Sequence, residues 1–95
     1  MADFTIRVVL HDNATWQDYT NLASNMAARG MVDVIIADDG RRYKLPPAEY
    51  TYSGNATINQ VRSSAVDAAA KTGKRNAVLV TQATGRSWNG LEEVR

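Results

Sequence analysis

No cysteine occurs among the 95 residues of this chain. That absence excludes a disulfide scaffold, thiolate catalysis and cysteine-ligated zinc. The single histidine, His11, excludes a multi-histidine metal centre. No apolar run approaches the roughly 18–20 residues that a membrane-crossing helix needs. The first residues, Met1-Ala2-Asp3-Phe4-Thr5, carry an early acid and no apolar signal core, so a cytoplasmic protein is expected. Charge of one sign is also missing. The formal net charge is +1, so bulk charge does not attract polyanions and any nucleic-acid contact must come from local patches. There is no phosphate-binding loop, because Gly73-Lys74 lacks the upstream glycine and the following Ser or Thr. The G-x-S-x-G, H-E-x-x-H and dinucleotide-binding patterns are absent as well.

What is present is an ordinary globular composition, 44% hydrophobic and 22% charged, which argues against disorder. The length fits one small domain. Phe4, Ile6, Val8 and Leu10 alternate with Thr5, Arg7, Val9 and His11, the pattern of a strand with one buried face. From Thr15 the period becomes helical. Trp16, Tyr19, Leu22, Ala23 and Met26 form one apolar face, with Thr15 as N-cap, Asp18 in the first turn and Gly30 as the closing residue. Val32 to Ala37 reads as a second strand and Asp38-Asp39-Gly40 as a hairpin turn. Residues 41–53 read as one antiparallel arm interrupted by Pro46-Pro47. Thr57-Ile58-Asn59-Gln60 fits a capping box, and Ile58, Val61, Ala65, Val66 and Ala69 follow at helical spacing up to Gly73. Asn76 to Gln82 reads as a last strand.

Asn13-Ala14-Thr15 and Asn55-Ala56-Thr57 open the two helices in the same way. Both match a glycosylation sequon, but without a secretory signal they are read as helix entries. Two matched strand-helix-strand halves predict an α+β fold of the ferredoxin-like β-α-β-β-α-β type, with two helices on one face of a four-stranded antiparallel sheet. Residues 1–82 would form this domain and residues 83–95 a C-terminal tail, with Trp88, Leu91 and Val94 the residues able to dock it. With Ile6, Val8, Val34 and Ile36 turned to the helices, Arg7, Val9, Asp33 and Ile35 would lie on the open sheet face. That face is apolar enough to expect the tail, a dimer partner or a ligand against it.

Candidate chemistry is sparse. His11 and Asp12 stand at the end of the first strand, where an imidazole can serve as acid or base and a carboxylate can tune it or bind a divalent ion. The same pair also suits a polar loop that leads into the helix. Asp38 and Asp39 suit a turn better than a cation site. Arg41, Arg42 and Lys44, interleaved with Tyr43, Tyr50 and Tyr52, make the best nucleic-acid candidate, since cations neutralise phosphate and rings stack on unpaired bases. A solvated edge arm explains the same residues. Lys71, Lys74 and Arg75 complement the dipole at the end of the second helix.

The stretch Val8-Val9-Leu10-His11-Asp12, the turn Ile36-Ala37-Asp38-Asp39-Gly40, Tyr43-Lys44-Leu45 and the arm Tyr50-Thr51-Tyr52 together resemble the GhoS family of small bacterial proteins. The likeness spans roughly Phe4 to Thr81. That family contains the antitoxin of type V toxin–antitoxin systems. The resemblance implies a Cas2-like ferredoxin fold and an endoribonuclease antitoxin acting on the messenger RNA of a small membrane toxin. Its partner would be single-stranded RNA. Asp12 falls where such proteins carry a catalytic carboxylate. The resulting expectation is Asp12 and His11 as catalytic groups and Arg41, Arg42, Lys44, Tyr43 and Arg7 as RNA contacts, with no cofactor, although a divalent metal is compatible. The alternative is a non-enzymatic homodimeric interaction module on the same fold.

Overall fold

The structure is a computed structural model that describes residues 1–94. Eight elements follow in order: β1 (Ala2–Leu10), α1 (Trp16–Ala27), β2 (Val34–Ile36), β3 (Arg42–Lys44), β4 (Glu49–Gly54), α2 (Ile58–Ala70), β5 (Asn76–Ala83) and β6 (Glu93–Val94). They form an α+β fold with two helices and two three-stranded antiparallel sheets. The main sheet runs β4-β1-β5 and the smaller one β2-β3-β6. No helix among the described residues is long and apolar enough to cross a membrane.

The alternation in β1 decides the core. Phe4, Ile6, Val8 and Leu10 are buried against Leu22 and Met26 of α1, Met31, Tyr50 of β4, and Val61, Ala65, Ala68 and Ala69 of α2. β1 is the central strand, paired with β4 from Ala2 opposite Gly54 and with β5 from Asp3 opposite Ala83. Phe4 meets the ring of Tyr52 at 6.2 Å.

Both helix starts follow the sequence pattern. The Thr15 hydroxyl accepts from the Asp18 N–H while the Asp18 carboxylate accepts from the Thr15 N–H, and Thr57 and Gln60 repeat the arrangement. At the end of α1 the N–H of Met31 donates to the carbonyl of Met26, and that of Gly30 to Ala27. This is a Schellman closure, and it requires the left-handed backbone that Gly30 adopts at φ 79°.

Four expectations change. First, the single four-stranded sheet is not formed. Val32 makes an isolated antiparallel bridge with Thr51, and the chain then leaves β4 to pair as β2 with β3. Second, Ile36 does not reach the helices: it is exposed, while Ile35 keeps the open-face side and is buried there. Once β2 departs from the main sheet, the side carrying Ile35 packs with Leu45 over the open face of that sheet. Third, residues 41–53 are not one arm. Pro46-Pro47 and the left-handed Ala48 at φ 66° divide them between the two sheets. Fourth, Trp16, Ile58 and Val66 are not core residues. Side chains lean toward a helix N-terminus, so Trp16, the first residue of α1, projects past the packed face. Ile58 likewise opens its helix, and Val66 lies on one flank of the buried arc of α2.

The tail docks. The β6 strand pairs with β3, the Lys44 N–H donates to the Glu92 carbonyl, and the rings of Trp88 and Tyr43 lie 5.8 Å apart. Trp88, Leu91 and Val94 are half-buried. The tail and the β2-β3 hairpin therefore cover one half of the open sheet face.

Candidate nucleic-acid interface

His11 and Asp12 leave the end of β1 as expected, but their bonds join loops. The Arg75 guanidinium grips the Asp12 carboxylate, Nη2 to Oδ1 at 2.6 Å and Nε to Oδ1 at 3.0 Å. The Arg75 N–H adds a third donor at 3.2 Å. The Lys74 ammonium reaches the Asp12 carbonyl at 3.2 Å and stands 4.0 Å from the Asp18 carboxylate. The His11 N–H donates to the Arg75 carbonyl at 2.7 Å, while its side chain is exposed. Asp12 and Asn13 both adopt left-handed backbone, at φ 61° and 57°, a conformation these two residue types tolerate. The loop before α1 is thus stitched to the loop before β5.

The Arg75 side-chain bonds, then its backbone N–H, hold the Asp12 carboxyl below its ordinary 3.8. A carboxylate held in this way accepts a proton poorly, which weakens it as a general base. A carboxyl lowered in the folded state contributes stability above its unfolded pKa and loses that contribution as pH falls through the folded value. Asp12→Asn should therefore lower the urea midpoint at neutral pH, with the gap to wild type shrinking near pH 2. An equal gap at both pH values would mean that the ion pair is not its source.

The hairpin cations are largely neutralised. Arg41 stands 3.5 Å from Asp39, and Lys44 is bound to Asp33. The Tyr43 hydroxyl, then Asp39 and Glu93, hold the proton on Arg41 more firmly than usual. Tyr43 faces Trp88, Tyr50 is buried and Tyr52 packs on Phe4, so the expected row of stacking rings is not displayed. Burial pushes the Tyr50 hydroxyl up to about 12. Its position and that of Tyr52 follow from the β4 alternation, which turns both toward the helices.

The catalytic and RNA-contact candidates are not brought together. The hairpin tip, Ala37 and Asp38, lines a groove with Asp3 and Ala83 at the N-terminal end of β1. Asp12 lies beyond the other end of β1, and although Lys44 lines a cleft with Trp16 and Tyr19 of α1, no hydrogen bond or ion pair among the described residues joins an RNA-contact candidate to His11 or Asp12.

A different cluster forms on the open face. Arg7 is exposed on β1, across from Glu49 on β4 and Leu79 on β5. Two residues away, the Thr5 hydroxyl accepts from Arg86 Nε at 2.8 Å. Thr5, Glu49, Arg86, Trp88, Asn89 and Leu91 line a groove of ≈ 450 Å³ where the tail crosses the sheet. Arg86 and Trp88 also line the neighbouring groove of ≈ 400 Å³, whose rim carries Asp3 and Asp38. Among the described residues no acid forms an ion pair with Arg7, Arg42 or Arg86, whereas Arg29, Arg41, Lys44, Lys74 and Arg75 all have one. Sequence reading reached Arg7 but not Arg86. The tail has no period, and only its return across the sheet places Arg86 beside Thr5. No group of three or more acidic or histidine side chains is arranged to hold a metal among the described residues.

Comparison with known proteins adds no relative: no family model matches the chain, nor does any curated protein or solved structure.

Proposed function

We propose that this chain is a ferredoxin-like RNA-binding protein that holds a single strand on the open sheet face. The fold reading is supported by β4, β1 and β5 with the two helices between them in the chain, with the Val32–Thr51 bridge as the remnant of the fourth strand and β3 and β6 as additions to the β-α-β-β-α-β plan. The observation that carries the function is Arg86, a guanidinium without an acidic partner among the described residues, set beside Trp88 in a groove of nucleotide size, with Arg7, also outside any ion pair, exposed on β1 two residues from the Thr5 that Arg86 contacts. Guanidiniums neutralise phosphate and an indole edge or face offers a stacking platform. Arg42, exposed on the hairpin, extends the cationic surface. The Asp12–Arg75 latch favours binding over cleavage by Asp12.

The test is fluorescence anisotropy with a labelled single-stranded oligouridine. Arg7→Glu with Arg86→Glu is expected to weaken binding at least about tenfold, and salt should weaken the wild-type complex. Asp12→Asn should leave the RNA as intact as wild type leaves it. Absence of wild-type binding at about 100 µM, the weak end of non-specific affinity, or equal binding by the double variant, would overturn the reading.

A further inference from the structure

The main sheet has one long edge that nothing covers. β5 pairs with β1 on one side. Among the described residues no backbone group hydrogen-bonds along its other side. The opposite edge is partly closed, because Val32 and Thr51 exchange backbone bonds and the Thr51 hydroxyl donates to the Val34 carbonyl. The outer strands of the small sheet are only two and three residues long. Soluble proteins usually guard a long edge with charge, proline, a bulge or a covering segment. The β5 sequence Asn76-Ala77-Val78-Leu79-Val80-Thr81-Gln82-Ala83 has no charge, no proline and no glycine.

The surfaces on both sides of that edge are apolar too. On the open face Leu79 is 65% exposed. On the helical side the contacts of α2 fix which flank is free. Arg29 of the α1 C-terminal turn reaches Ser64 and Asp67, and Asn25 reaches the Ala68 carbonyl, so that flank faces α1. Arg62 and Val66 lie on the flank away from α1, on the β5 side, with Ile58 at the start of the helix, and Ile58 and Val66 are 39% and 41% exposed.

We propose that a second copy of this chain pairs antiparallel along β5, joining two three-stranded sheets into one of six strands. A twofold contact needs a surface complementary to itself. The register that sets Leu79 opposite its own copy also sets Ala77 opposite Thr81, Val78 opposite Val80 and Asn76 opposite Gln82. Every pair is uncharged and lies on one face of the sheet, as antiparallel pairing requires. The same rotation brings the free flanks of the two α2 helices together, covering Ile58 and Val66. The pairing does not rest on RNA binding: Arg86 and Trp88 line the groove toward β4, while Leu79 lies across from Arg7 on the open face.

Sedimentation velocity and hydrogen exchange test the proposal. At about 50 µM, in the range where interfaces of modest size associate, wild type should sediment at twice its 10.4 kDa mass. Leu79→Lys and Val66→Glu, both at exposed positions, should each weaken the dimer at least tenfold while the circular dichroism spectrum is retained. The outward amides of Ala77 to Gln82 should exchange slowly in wild type and fast in Leu79→Lys. A wild-type monomer at that concentration, or a dimer that both variants leave intact, would overturn it.

Discussion

Phe4→Ala is expected to remove about 3–5 kcal/mol of stability, the usual result of emptying a fully buried aromatic site. Phe4 is wholly inaccessible and sits on the central strand, between the Tyr52 ring and the helices. Phe4 itself and its neighbour Ile6 are held by pairing on both sides of β1, so the backbone cannot collapse into the void. A chain of this length has roughly 5–14 kcal/mol of total stability, so the loss removes a large part of it. Urea unfolding followed by far-ultraviolet circular dichroism gives the number. A loss under about 1 kcal/mol, the scale of a surface change, would show that Phe4 is not where the packing is densest.

Ala65→Leu is the second large effect, and it comes from adding atoms. Ala65, Ala68 and Ala69 are completely buried on α2. Their small side chains let α2 lie close to both β1 and α1, and the Ala68 carbonyl accepts from Asn25 across that contact. A leucine at position 65 meets the sheet with no free volume, and overpacking of this kind costs about 1–3 kcal/mol or more. Ala70→Leu is the control, because Ala70 is exposed at the end of the same helix. Leucine has nearly the helix propensity of alanine, so the control should be close to neutral. Equal midpoints for the two variants in urea would mean that α2 can move away from the sheet without penalty.

The residues explain which parts of this architecture were legible in the sequence. The alternation of β1, the two threonine N-caps and the Asp-Gly turn are local signals with local causes, and each sits where its pattern places it. The tail anchors were readable because an exposed Trp and Leu need cover. The exposure of Ile36 was not readable. Alternation places it on the helix side, and only the departure of β2 from β4 after Val32 takes that side away from the helices. The cationic site was half-readable for a similar reason. Arg41, Arg42 and Lys44 stand together in sequence, but Asp39 and Asp33 neutralise two of them, and Asp33 comes from the strand across the hairpin. Asp12 was legible as a residue at a strand end. Its partner Arg75 is distant in sequence, so its occupied state was not.

The position of β1 has a consequence for synthesis. It is made before both of its neighbours, yet it is the middle strand, and its second neighbour is not complete until Ala83. At ordinary elongation rates roughly 4–15 s separate the two. Throughout that interval the side chains of Phe4, Ile6, Val8 and Leu10 lack their full cover, and one backbone edge of the strand stays open. Products arrested before Asn76 would carry this exposed strand permanently. They, rather than the finished chain, are the species expected to be recovered with chaperones or in inclusion bodies.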